Sequence, residues 1–576
     1  MNNTDVSNLL TTIADLMDIK GENFFKIRAY RLAAQAIHDS PEDISTLVKE
    51  HRLKDLAGIG EAIAKKIAEY VKTGRLTYLE KLTEEIPLHI LSLLQIPGLG
   101  PKKVATLYRL LHIDTIESLK QACKDEKLRD IDGFGEITER NILRGIQLLE
   151  RTSGRSLLHH AYNNGQHYLQ YIKQCSGVIQ ADLAGSLRRM KETIGDIDII
   201  VASEDPDMVM DHFINYPKIK QILVQGKTKT SVLLIDSIQV DLRVVPIQSY
   251  GAALQYFTGS KEHNVTVRGL AVRQGFKLNE YGLFEKNTDR FLSGRTEQDI
   301  YNHLGLQFIP PEIRENRGEV EAAKTKTLPR LLELMDVKGD LHIHSTYSDG
   351  SNSISEMVET CAKKSYEYVG ITDHSQSLKI ARGLDGEAIQ AKREEIKRLN
   401  ETAPLHVFCG TECDIKSDGT LDYPAEVLGL FDYVGIGIHT GFNMTKDEAT
   451  ERIIQGMKHQ SVTFLAHPTC RMIGHREGFD LDMDQIFETA VYTNTALEIN
   501  SFPDRLDLND IQVKRGKELG VRFIIGTDSH AKEHLDYMKF GVATARRGWL
   551  EKEDVINTVN LTTIEEFFKK GRKVNG

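Results

Sequence analysis

The sequence has few cysteines and no long apolar run, and each shortage excludes a class of protein. Six cysteines in 576 residues, with no Cys-x-x-Cys pair, argue against a disulfide framework and indicate a reducing compartment. No apolar run reaches the roughly 18 residues of a membrane helix. The N-terminal segment lacks the basic and apolar pattern of a secretion signal. We therefore expect a cytoplasmic protein with no membrane partner.

The net charge of −10 argues by itself against a nucleic-acid-binding protein, but the charge is unevenly distributed. Residues 335–576 contain 29 Lys and Arg and 39 Asp and Glu, whereas residues 1–334 contain 44 of each. Contacts with phosphates must therefore come from local patches in the first part. A chain of this length should form several domains, each with its own core.

A pair of aspartates marks the region around which the chain is organised. Asp196 and Asp198 lie two residues apart in an apolar run, so on a strand both carboxylates would leave the same face. Like charges repel there, and shared divalent cations such as Mg²⁺ or Mn²⁺ would relieve the repulsion and hold a substrate phosphate. Two β-rich runs in residues 231–245 predict a hairpin that places Asp241 on a neighbouring strand.

The segment GSLRR precedes the aspartates. It offers a close-approach backbone, a hydroxyl group and the guanidinium groups of Arg188 and Arg189 for a triphosphate. An Asp-x-Asp pair alone is more often a surface turn or a solvated face. Together, GSLRR, GDIDI and VDLR resemble the palm of the nucleotidyltransferases of the DNA polymerase β type. The resemblance implies catalytic metal ligation by Asp196, Asp198 and Asp241, and nucleotide binding by Gly185, Ser186, Arg189 and Gly195.

Residues 1–80 predict short helices, and two glycine turns share one pattern. In LAGIGEAIAKKI and LQIPGLGPKKVA, two glycines that flank an apolar residue precede a helix with a Lys near its start. Such a turn points backbone N–H groups at a phosphate, although one copy alone could equally be an ordinary helix cap. The repeated pattern resembles the helix-hairpin-helix module that grips DNA backbone, with DGFGEITERNI as a weaker third copy. The DNA-binding residues implied are Gly58, Gly60, Gly98, Gly100 and Lys102.

The resemblance to the polymerase β amino-terminal domain extends through FFKIRAYRLAA and GIGEAIAKKI. It places Lys66 on the lysine that forms a Schiff base with an abasic sugar, and Lys26 and Tyr30 on residues that line that site. Ala62 departs from the family, which can carry a second lysine there. A lysine on an amphipathic helix is otherwise most often only solvated, so lyase chemistry by Lys66 is a hypothesis.

Aromatic and polar residues beyond the palm continue the resemblance, which runs from about residue 5 to about residue 315. Tyr256, Phe257 and Gly259 fall on the segment that packs against the sugar of the incoming nucleotide. Asn264 and Arg268 fall on residues that touch bases from the minor groove. Rings beside a sugar can exclude a 2′-hydroxyl group, which predicts deoxynucleoside triphosphates as substrates. The alternative for the two rings is core packing.

From Val337 the chain alternates short β-rich runs with helical stretches, and each run ends in polar residues. This alternation predicts parallel strands in a βα barrel with catalytic residues at the strand ends. Single histidines are more often structural, but nine candidate ligands at successive strand ends predict a metal site. The ligands are His342, His344, Asp349, His374, Glu412, His439, His467, Asp528 and His530.

This pattern resembles the polymerase and histidinol phosphatase (PHP) domain, which binds three metal ions in a distorted barrel. Mixed imidazole and carboxylate ligation suits Mn²⁺, Zn²⁺ or Fe²⁺ better than Mg²⁺. Metal ions with open positions can activate water and bind a phosphate, so the predicted reaction is phosphoester hydrolysis.

Both halves together resemble a bacterial family X DNA polymerase. The fold class implied is multidomain, with an α-helical N-terminal domain containing helix-hairpin-helix motifs, an α+β polymerase β-like palm and a C-terminal distorted βα barrel. The domains are 1–80 for DNA binding and lyase chemistry, 81–315 for the catalytic core of fingers, palm and thumb, 316–336 for a linker or bridging helix, and 337–576 for the PHP phosphoesterase.

The function implied is gap-filling DNA repair with 3′–5′ exonuclease or abasic-site endonuclease activity. The partners are gapped or nicked duplex DNA, abasic sites and deoxynucleoside triphosphates, and we expect a monomer. Residues 1–315 alone should extend a primer, because the linker separates two complete sites. Two rivals remain: a small-molecule phosphatase of the histidinol phosphate kind with inert modules, and a DNA-binding scaffold with an inactive polymerase half.

Overall fold

The computed structural model describes residues 3–38, 42, 44–56, 58–96, 98–152 and 154–571. The chain forms two compact units: residues 1–153 with 474–477, and residues 154–473 with 478–576. Among the described helices, none is both long enough and apolar enough to cross a membrane.

The first unit is built from helices around one apolar core that extends from Val6 to Ile146. Its helices are Asn3–Lys20, Phe24–His38, Ile44–Lys49, Glu61–Thr73, Thr77–Glu85, Pro101–Leu111, Ile116–Lys124 and Gly135–Thr152, with 3-10 turns at Leu53–Asp55 and Leu88–Gln95. Ile63 and Leu107, which follow the two predicted glycine turns, are both buried in this core. A single core therefore includes residues on both sides of position 80.

The second unit begins with the palm, a five-stranded sheet. Side chains alternate along the strand Asp196–Ala202, so Ile197 and Ile199 pack beneath the helices on one face and Ile200 packs towards the helix on the other. The strands in spatial order are Gln180–Leu183, Asp196–Ala202, Gln239–Val245, Lys229–Leu234 and Ile219–Gln225. The flanking helices are Leu158–Ile172 and Pro206–Ile214 on one face and Tyr250–Thr258 on the other.

The predicted hairpin and its pairing with the aspartate strand are confirmed. Lys229–Leu234 runs antiparallel to Gln239–Val245, which in turn pairs in parallel with Asp196–Ala202. Smaller elements complete this half. They are the strand pair Ser156–Leu157 and Thr193–Ile194, the short helix Gly185–Arg188, helices Lys261–Arg273 and Glu297–His303, the sheet Phe276–Asn279, Gly282–Glu285 and Phe291–Ser293, and 3-10 turns Ile247–Ser249 and Pro311–Ile313.

The C-terminal half is a nearly closed barrel of seven parallel strands in chain order, as predicted. A bridge between Ile343 and Ser529 joins the ends of the first and last strands. The strands are Gly339–Ile343, Tyr368–Ile371, His406–Asp414, Tyr433–Gly437, Phe464–Leu465, Ala496–Asn500 and Phe523–Gly526. The helices are Ile354–Lys363, Gly386–Leu399, Ala425–Leu428, Lys446–Met457, Met483–Thr493, Asp510–Glu518, Met538–Arg547 and Leu561–Gly571, with 3-10 turns Lys379–Ala381, Lys532–Tyr537, Lys552–Asp554 and Ile556–Thr558.

The segment predicted as a linker, residues 316–336, is packed against the barrel. It contains the helix Glu319–Thr325, whose Glu319 is fully buried, and the 3-10 turn Leu334–Asp336. The backbone N–H of Leu332 donates to the carbonyl oxygen of Leu550 at 2.9 Å. This segment therefore belongs to the same folded unit as the palm and the barrel.

Candidate active sites

Three aspartates converge on one face of the palm sheet. Asp198 is directly opposite Asp241 in the parallel ladder, and Asp196 lies two residues earlier on the same face. One ligand atom from each of the three lies within 4.8 Å of the others. Lys229 Nζ lies 2.8 Å from Asp241 Oδ2, and Gln239 Nε2 donates to Asp241 Oδ1 at 2.7 Å. Oxygen-only donors of this kind fit hard divalent cations.

The electrostatics of the three carboxylates also favour a bound cation. Burial, followed by repulsion from Asp196 and Asp241, raises the pKa of Asp198 to about 7. Burial and the nearby Asp241 raise the pKa of Asp196 as well. Burial acts in the same direction on Asp241, but hydrogen bonds led by that from Lys229 leave its pKa lowered. A divalent cation would neutralise the repulsion that keeps Asp198 protonated.

Gly185 is required by the approach of its backbone to Asp198. Its φ of +61° lies in the left-handed region, and a Cβ atom there would lie 2.2 Å from Asp198 Oδ2. The glycine begins the short helix Gly185–Arg188, in which Ser186 is half-buried beside the carboxylates' strand. The turn therefore places the Gly185 backbone next to Asp198 and Ser186 one residue further along.

The two arginines of the turn are anchored differently. Arg188 forms a two-pronged ion pair with Glu297, at 2.9 Å and 2.6 Å. Arg189 donates from Nη1 to the carbonyl oxygen of Thr258 at 2.5 Å and from Nε to Glu315 Oε1 at 3.0 Å. Arg189 is thereby fixed between Glu315 and the C-terminal end of helix Tyr250–Thr258.

Arg155 is a neighbour of the palm site that sequence reasoning missed. A Cβ atom at Gly195 would lie 3.2 Å from Arg155 Nη1. Arg155 donates from Nη2 to the carbonyl oxygen of Thr193 at 2.6 Å, and its charge acts to lower the pKa of Asp196. Lys229, which pairs with Asp241, was missed as well. Both are isolated cations outside any motif, so only their distance from the aspartates reveals them.

The predicted sugar-binding aromatics lie together at the end of helix Tyr250–Thr258. The rings of Tyr256 and Phe257 are perpendicular, with centroids 5.1 Å apart, and the Arg243 guanidinium lies 4.2 Å from the Phe257 ring. Arg268 lies 6.0 Å from the Tyr256 ring. Asn264 is only 8% exposed and donates to the Tyr256 carbonyl oxygen at 2.7 Å. Contact between Asn264 and a base therefore stays a prediction.

The barrel brings all nine predicted ligands to one end of its strands. Asp528 Oδ1 lies 3.3 Å from His344 Nε2, and His467 Nε2 lies 2.8 Å from Glu412 Oε1. Three overlapping groups each have ligand atoms within 4.8 Å of one another: His344, Asp349, His374 and His530; His342, His344 and Glu412; His374, Glu412 and His439. The overlap of the groups at Glu412 and two histidines fits a cluster of ions that share ligands.

Buried polar atoms in this cluster support the same conclusion. Six buried atoms of the cluster make no well-oriented hydrogen bond within the described structure. They are His342 Nε2, both ring nitrogens of His344, His374 Nδ1 and both carboxylate oxygens of Glu412. A buried donor or acceptor that lacks a partner carries a desolvation cost of about 1–3 kcal/mol. Bound cations would satisfy both oxygens of Glu412 and one ring nitrogen of each histidine, so the residues present fit a metal centre.

Two carboxylates that the sequence did not single out orient the ligands from behind. Glu498 Oε1 lies 2.6 Å from His342 Nδ1, and Asp414 Oδ1 lies 2.5 Å from His439 Nδ1. Each leaves the Nε2 atom of its histidine directed at Glu412. Such carboxylate–histidine pairs fix the tautomer and raise the basicity of a ligand. Asp414 ends its strand two residues after Glu412, and Glu498 lies in the middle of strand Ala496–Asn500, so no motif in the sequence marks either of them.

The first unit contains the predicted lyase site, whose residues all lie within that unit. Lys66 Nζ lies 4.3 Å from the Tyr78 ring centroid and 5.5 Å from that of Tyr30. Lys26 Nζ lies 3.4 Å from Glu22 Oε2, so it is held at the surface by an ion pair. Lys66 is therefore half-buried on an aromatic platform, and Tyr78 is a neighbour that the sequence did not reveal.

The glycine turns have the backbone geometry that a helix-hairpin-helix requires. Gly58 and Gly98 adopt left-handed φ values of +87° and +80°. Gly60 and Gly100 then cap the helices Glu61–Thr73 and Pro101–Leu111. The third copy differs at its second glycine: Gly133 has a φ of +83° like Gly58 and Gly98, but Gly135 has a φ of +49° and begins helix Gly135–Thr152, whereas Gly60 and Gly100 have φ values of −80° and −79°. Lys102 is exposed in the first turn of its helix.

The palm carries a centre of three aspartates, and the barrel carries a centre of histidines and carboxylates. Together with the fold, these two centres define a nucleotidyltransferase joined to a metal-dependent phosphoesterase. The chain matches the families described as helix-hairpin-helix domain at residues 1–76, SAM-like helix-hairpin-helix tandem at 90–147, DNA polymerase beta thumb at 253–315 and PHP domain at 340–502. It is 40% identical to "DNA polymerase/3'-5' exonuclease PolX" of Bacillus subtilis (strain 168) over 99% of this chain and 100% of that protein.

More distant relatives match about half of the chain. Rat "DNA polymerase lambda" is 23% identical over 54% of this chain and 56% of that protein, and human "DNA-directed DNA/RNA polymerase mu" is 23% identical over 54% and 69%. The chain belongs to the bacterial family X DNA polymerases that carry a PHP domain.

Proposed function

We propose that the chain fills short gaps in duplex DNA during base excision repair and that its barrel trims DNA 3′ ends or cuts at abasic sites. The observation that carries nucleotide addition is the convergence of Asp196, Asp198 and Asp241 within 4.8 Å on neighbouring strands. The Bacillus subtilis relative, named as a polymerase and 3′–5′ exonuclease and similar along its whole length, supports both activities.

In this proposal the three aspartates hold two Mg²⁺ or Mn²⁺ ions. When bound, such ions stabilise the negative charge on the attacking and leaving oxygens of a phosphoryl transfer. Arg189 and Ser186 hold the triphosphate, and Tyr256 and Phe257 lie against the sugar. Asp198, whose pKa is about 7, releases its proton when it binds a cation at neutral pH.

In the barrel, the nine ligands hold three ions, for which the mixed donor set favours Mn²⁺, Zn²⁺ or Fe²⁺. When bound, such ions lower the pKa of water and polarise a phosphoester. Glu498 and Asp414 keep His342 and His439 in one orientation, so their Nε2 atoms would be set to bind the ions without reorganisation.

The rival assignment as a histidinol-phosphatase-like enzyme with inert modules is supported only by the barrel. The helix-hairpin-helix and polymerase beta thumb matches and the complete aspartate set argue against it, because a small metabolite needs neither DNA contacts nor a triphosphate site. The same aspartates argue against a scaffold with an inactive polymerase half.

Primer extension on a gapped duplex, with Mg²⁺ and Mn²⁺ compared, tests nucleotide addition. Asp198→Ala should abolish extension, because a methyl group cannot replace a metal ligand. The variant should keep hydrolysis of DNA 3′ ends, which serves as its control for folding. Normal extension by Asp198→Ala would show that the three aspartates are not the catalytic site.

A second candidate function, abasic-site lyase chemistry, is favoured by the position of Lys66 beside two tyrosine rings. A Schiff base needs a nucleophilic amine next to the sugar, and this aromatic surface could receive the sugar ring. Borohydride should trap the protein on incised abasic DNA, and Lys66→Ala should lose the trapped product. Lys72→Ala, on the same helix, is the matched control. Equal trapping by Lys66→Ala would assign the reaction to another amine.

The partners in this proposal are gapped or nicked DNA and deoxynucleoside triphosphates. The glycine turns of the first unit supply backbone N–H groups for the DNA phosphates. We further propose a monomer that works in the cytoplasm, which fits a bacterial DNA polymerase relative and the lack of a disulfide among the six cysteines, all of which lie in the described residues.

A further inference from the structure

Arg547 is the last residue of the barrel helix Met538–Arg547, and it reaches the nucleotide site of the palm. Its side chain is 4% exposed. Nη1 donates to the carbonyl oxygen of Arg189 at 2.7 Å and to Glu315 Oε1 at 3.1 Å. The same Oε1 atom accepts from Arg189 Nε at 3.0 Å. One guanidinium group of the barrel thus holds the backbone of Arg189 and, through Glu315, its side chain.

The other end of Arg547 is fixed within the barrel. Its Nη2 lies 2.5 Å from Asp510 Oδ2, at the start of helix Asp510–Glu518, and the same oxygen lies 3.0 Å from Arg317 Nη1. Asp510 and Glu315 balance the buried positive charges around them. If Arg547 moved away from Arg189, its own buried charge would lose both carboxylate partners, while Asp510 would keep only Arg317 and Glu315 only Arg189, which is costly.

Arg189 has further N–H donors that make no hydrogen bond within the described structure, and its side chain is 11% exposed. Glu315 accepts from Nε and the carbonyl oxygen of Thr258 accepts from Nη1, which uses two of the five N–H donors of an arginine. The contacts that hold Nε and the main chain fix the plane of the group, and a planar guanidinium binds phosphate oxygens best when its plane is already set.

We propose that Arg547 is a positioning residue for nucleotide addition: the barrel, through Arg547 and Glu315, sets Arg189 to receive the triphosphate. This inference rests on the proposed function, in which Arg189 binds the triphosphate. It gives the barrel a role in polymerisation that is separate from hydrolysis at its own metal centre. Arg547 acts through Glu315 and Arg189 and touches no substrate.

The neighbouring Arg546 offers a matched control. It lies on the same helix and in the same interface, and it donates from Nε to Glu312 Oε1 at 2.8 Å and from Nη1 to the carbonyl oxygen of Leu332 at 2.8 Å. Among its contacts in the described structure, none is with Arg189 or Glu315. Loss of Arg546 would loosen the interface without releasing Arg189.

The experiment measures single-nucleotide addition to a gapped duplex by the full chain. Arg547→Gln should raise KM for the deoxynucleoside triphosphate by about tenfold, the effect of one lost charged hydrogen bond, with a smaller change in kcat. Glu315→Gln should act in the same direction, and the double variant should be little worse than either single one. Arg547→Lys should recover part of the loss, and Arg546→Gln should leave KM within about twofold of the parent.

Circular dichroism and hydrolysis of DNA 3′ ends report whether each variant is folded. If Arg547→Gln does not fold, Arg547→Lys and Glu315→Gln decide the question in the same assay. An equal rise in KM for Arg546→Gln would assign the effect to a loosened interface and overturn the proposal. An unchanged KM for folded Arg547→Gln, with a raised KM for Arg189→Ala, would overturn it and leave the proposed function standing. If Arg189→Ala also keeps the parental KM, the nucleotide assignment itself fails.

Discussion

Of the three palm carboxylates, Asp198 has the pKa that is shifted most by its surroundings. Burial and its two aspartate neighbours raise its pKa to about 7, well above the value of an exposed aspartate. Its folded pKa therefore exceeds its unfolded pKa, so in the metal-free protein the group favours folding below about pH 4. That contribution is lost as the pH rises to about 7. The ionised Asp198 of the metal-free protein therefore lowers the free energy of unfolding at neutral pH.

We predict that Asp198→Asn stabilises the metal-free protein at neutral pH, because the amide cannot ionise. The gain in free energy of unfolding should be small near pH 4, grow as the pH rises to about 7 and then level off at about 4 kcal/mol, which corresponds to the rise in the pKa of Asp198 to about 7. Urea unfolding in the presence of a chelator, followed by circular dichroism from pH 4 to 8, measures it. Asp211→Asn, on an exposed helix face of the palm, is the control. A gain for Asp198→Asn that does not change with pH would contradict the assignment.

The residues that the sequence revealed are those that repeat or stand in a spaced motif. Asp196 and Asp198 follow the period of a strand, and His342 and His344 do the same in the barrel. Glu498 and Asp414 are single carboxylates among many, and only the distances of 2.6 Å and 2.5 Å to ligand histidines identify them. Side chains that support ligands carry no spacing constraint of their own, so the sequence alone cannot separate them from other buried carboxylates.

Among the elements of the palm, the short helix Gly185–Arg188 depends most on one residue. It begins at Gly185, where a left-handed φ coincides with the close approach of Asp198. The apolar pattern predicted the aspartate strand that follows this helix, because alternation of apolar and polar residues is visible in the sequence. It could not predict the helix, which has four residues and is set by contacts with the neighbouring strand.

Gly185→Ala should disrupt this element and the metal site together. A Cβ atom 2.2 Å from Asp198 Oδ2 must displace the carboxylate, and the left-handed backbone adds a cost of about 1–2 kcal/mol. We expect loss of primer extension and weaker binding of Mn²⁺ by the palm, measured by isothermal titration in a His344→Ala background that weakens the barrel centre. Gly275→Ala is the matched control, since Gly275 also has a left-handed φ, of +83°, but an added Cβ would meet nothing within 4 Å. Parental Mn²⁺ binding by Gly185→Ala would show that the contact is not critical.

Across the whole molecule, the palm and the barrel share a hydrophobic core. Leu506 and Phe540 of the barrel half are each 1% exposed and belong to the core formed by palm residues such as Ile197 and Tyr168. Arg471 of the barrel half also pairs with Glu192 of the palm at 2.7 Å. The sequence showed two complete motif sets and a charged segment between them, which suggested separable halves. Contacts between residues hundreds of positions apart leave no local signature, so the interface could not be predicted.

This packing argues against the expectation that residues 1–315 alone extend a primer. Truncation removes Leu506 and Phe540 from the palm core, and burial of each is worth about 1.5–3 kcal/mol, which is a large part of the stability of an ordinary domain. It also removes Arg547 and with it the anchor of Arg189. We therefore expect the fragment to unfold at a lower urea concentration than the palm of the full chain and to extend a primer poorly. His344→Ala in the full chain keeps the interface, and it should lose hydrolysis of DNA 3′ ends while it retains extension. A fragment as stable and as active as that variant would show that the barrel contributes nothing to the polymerase half.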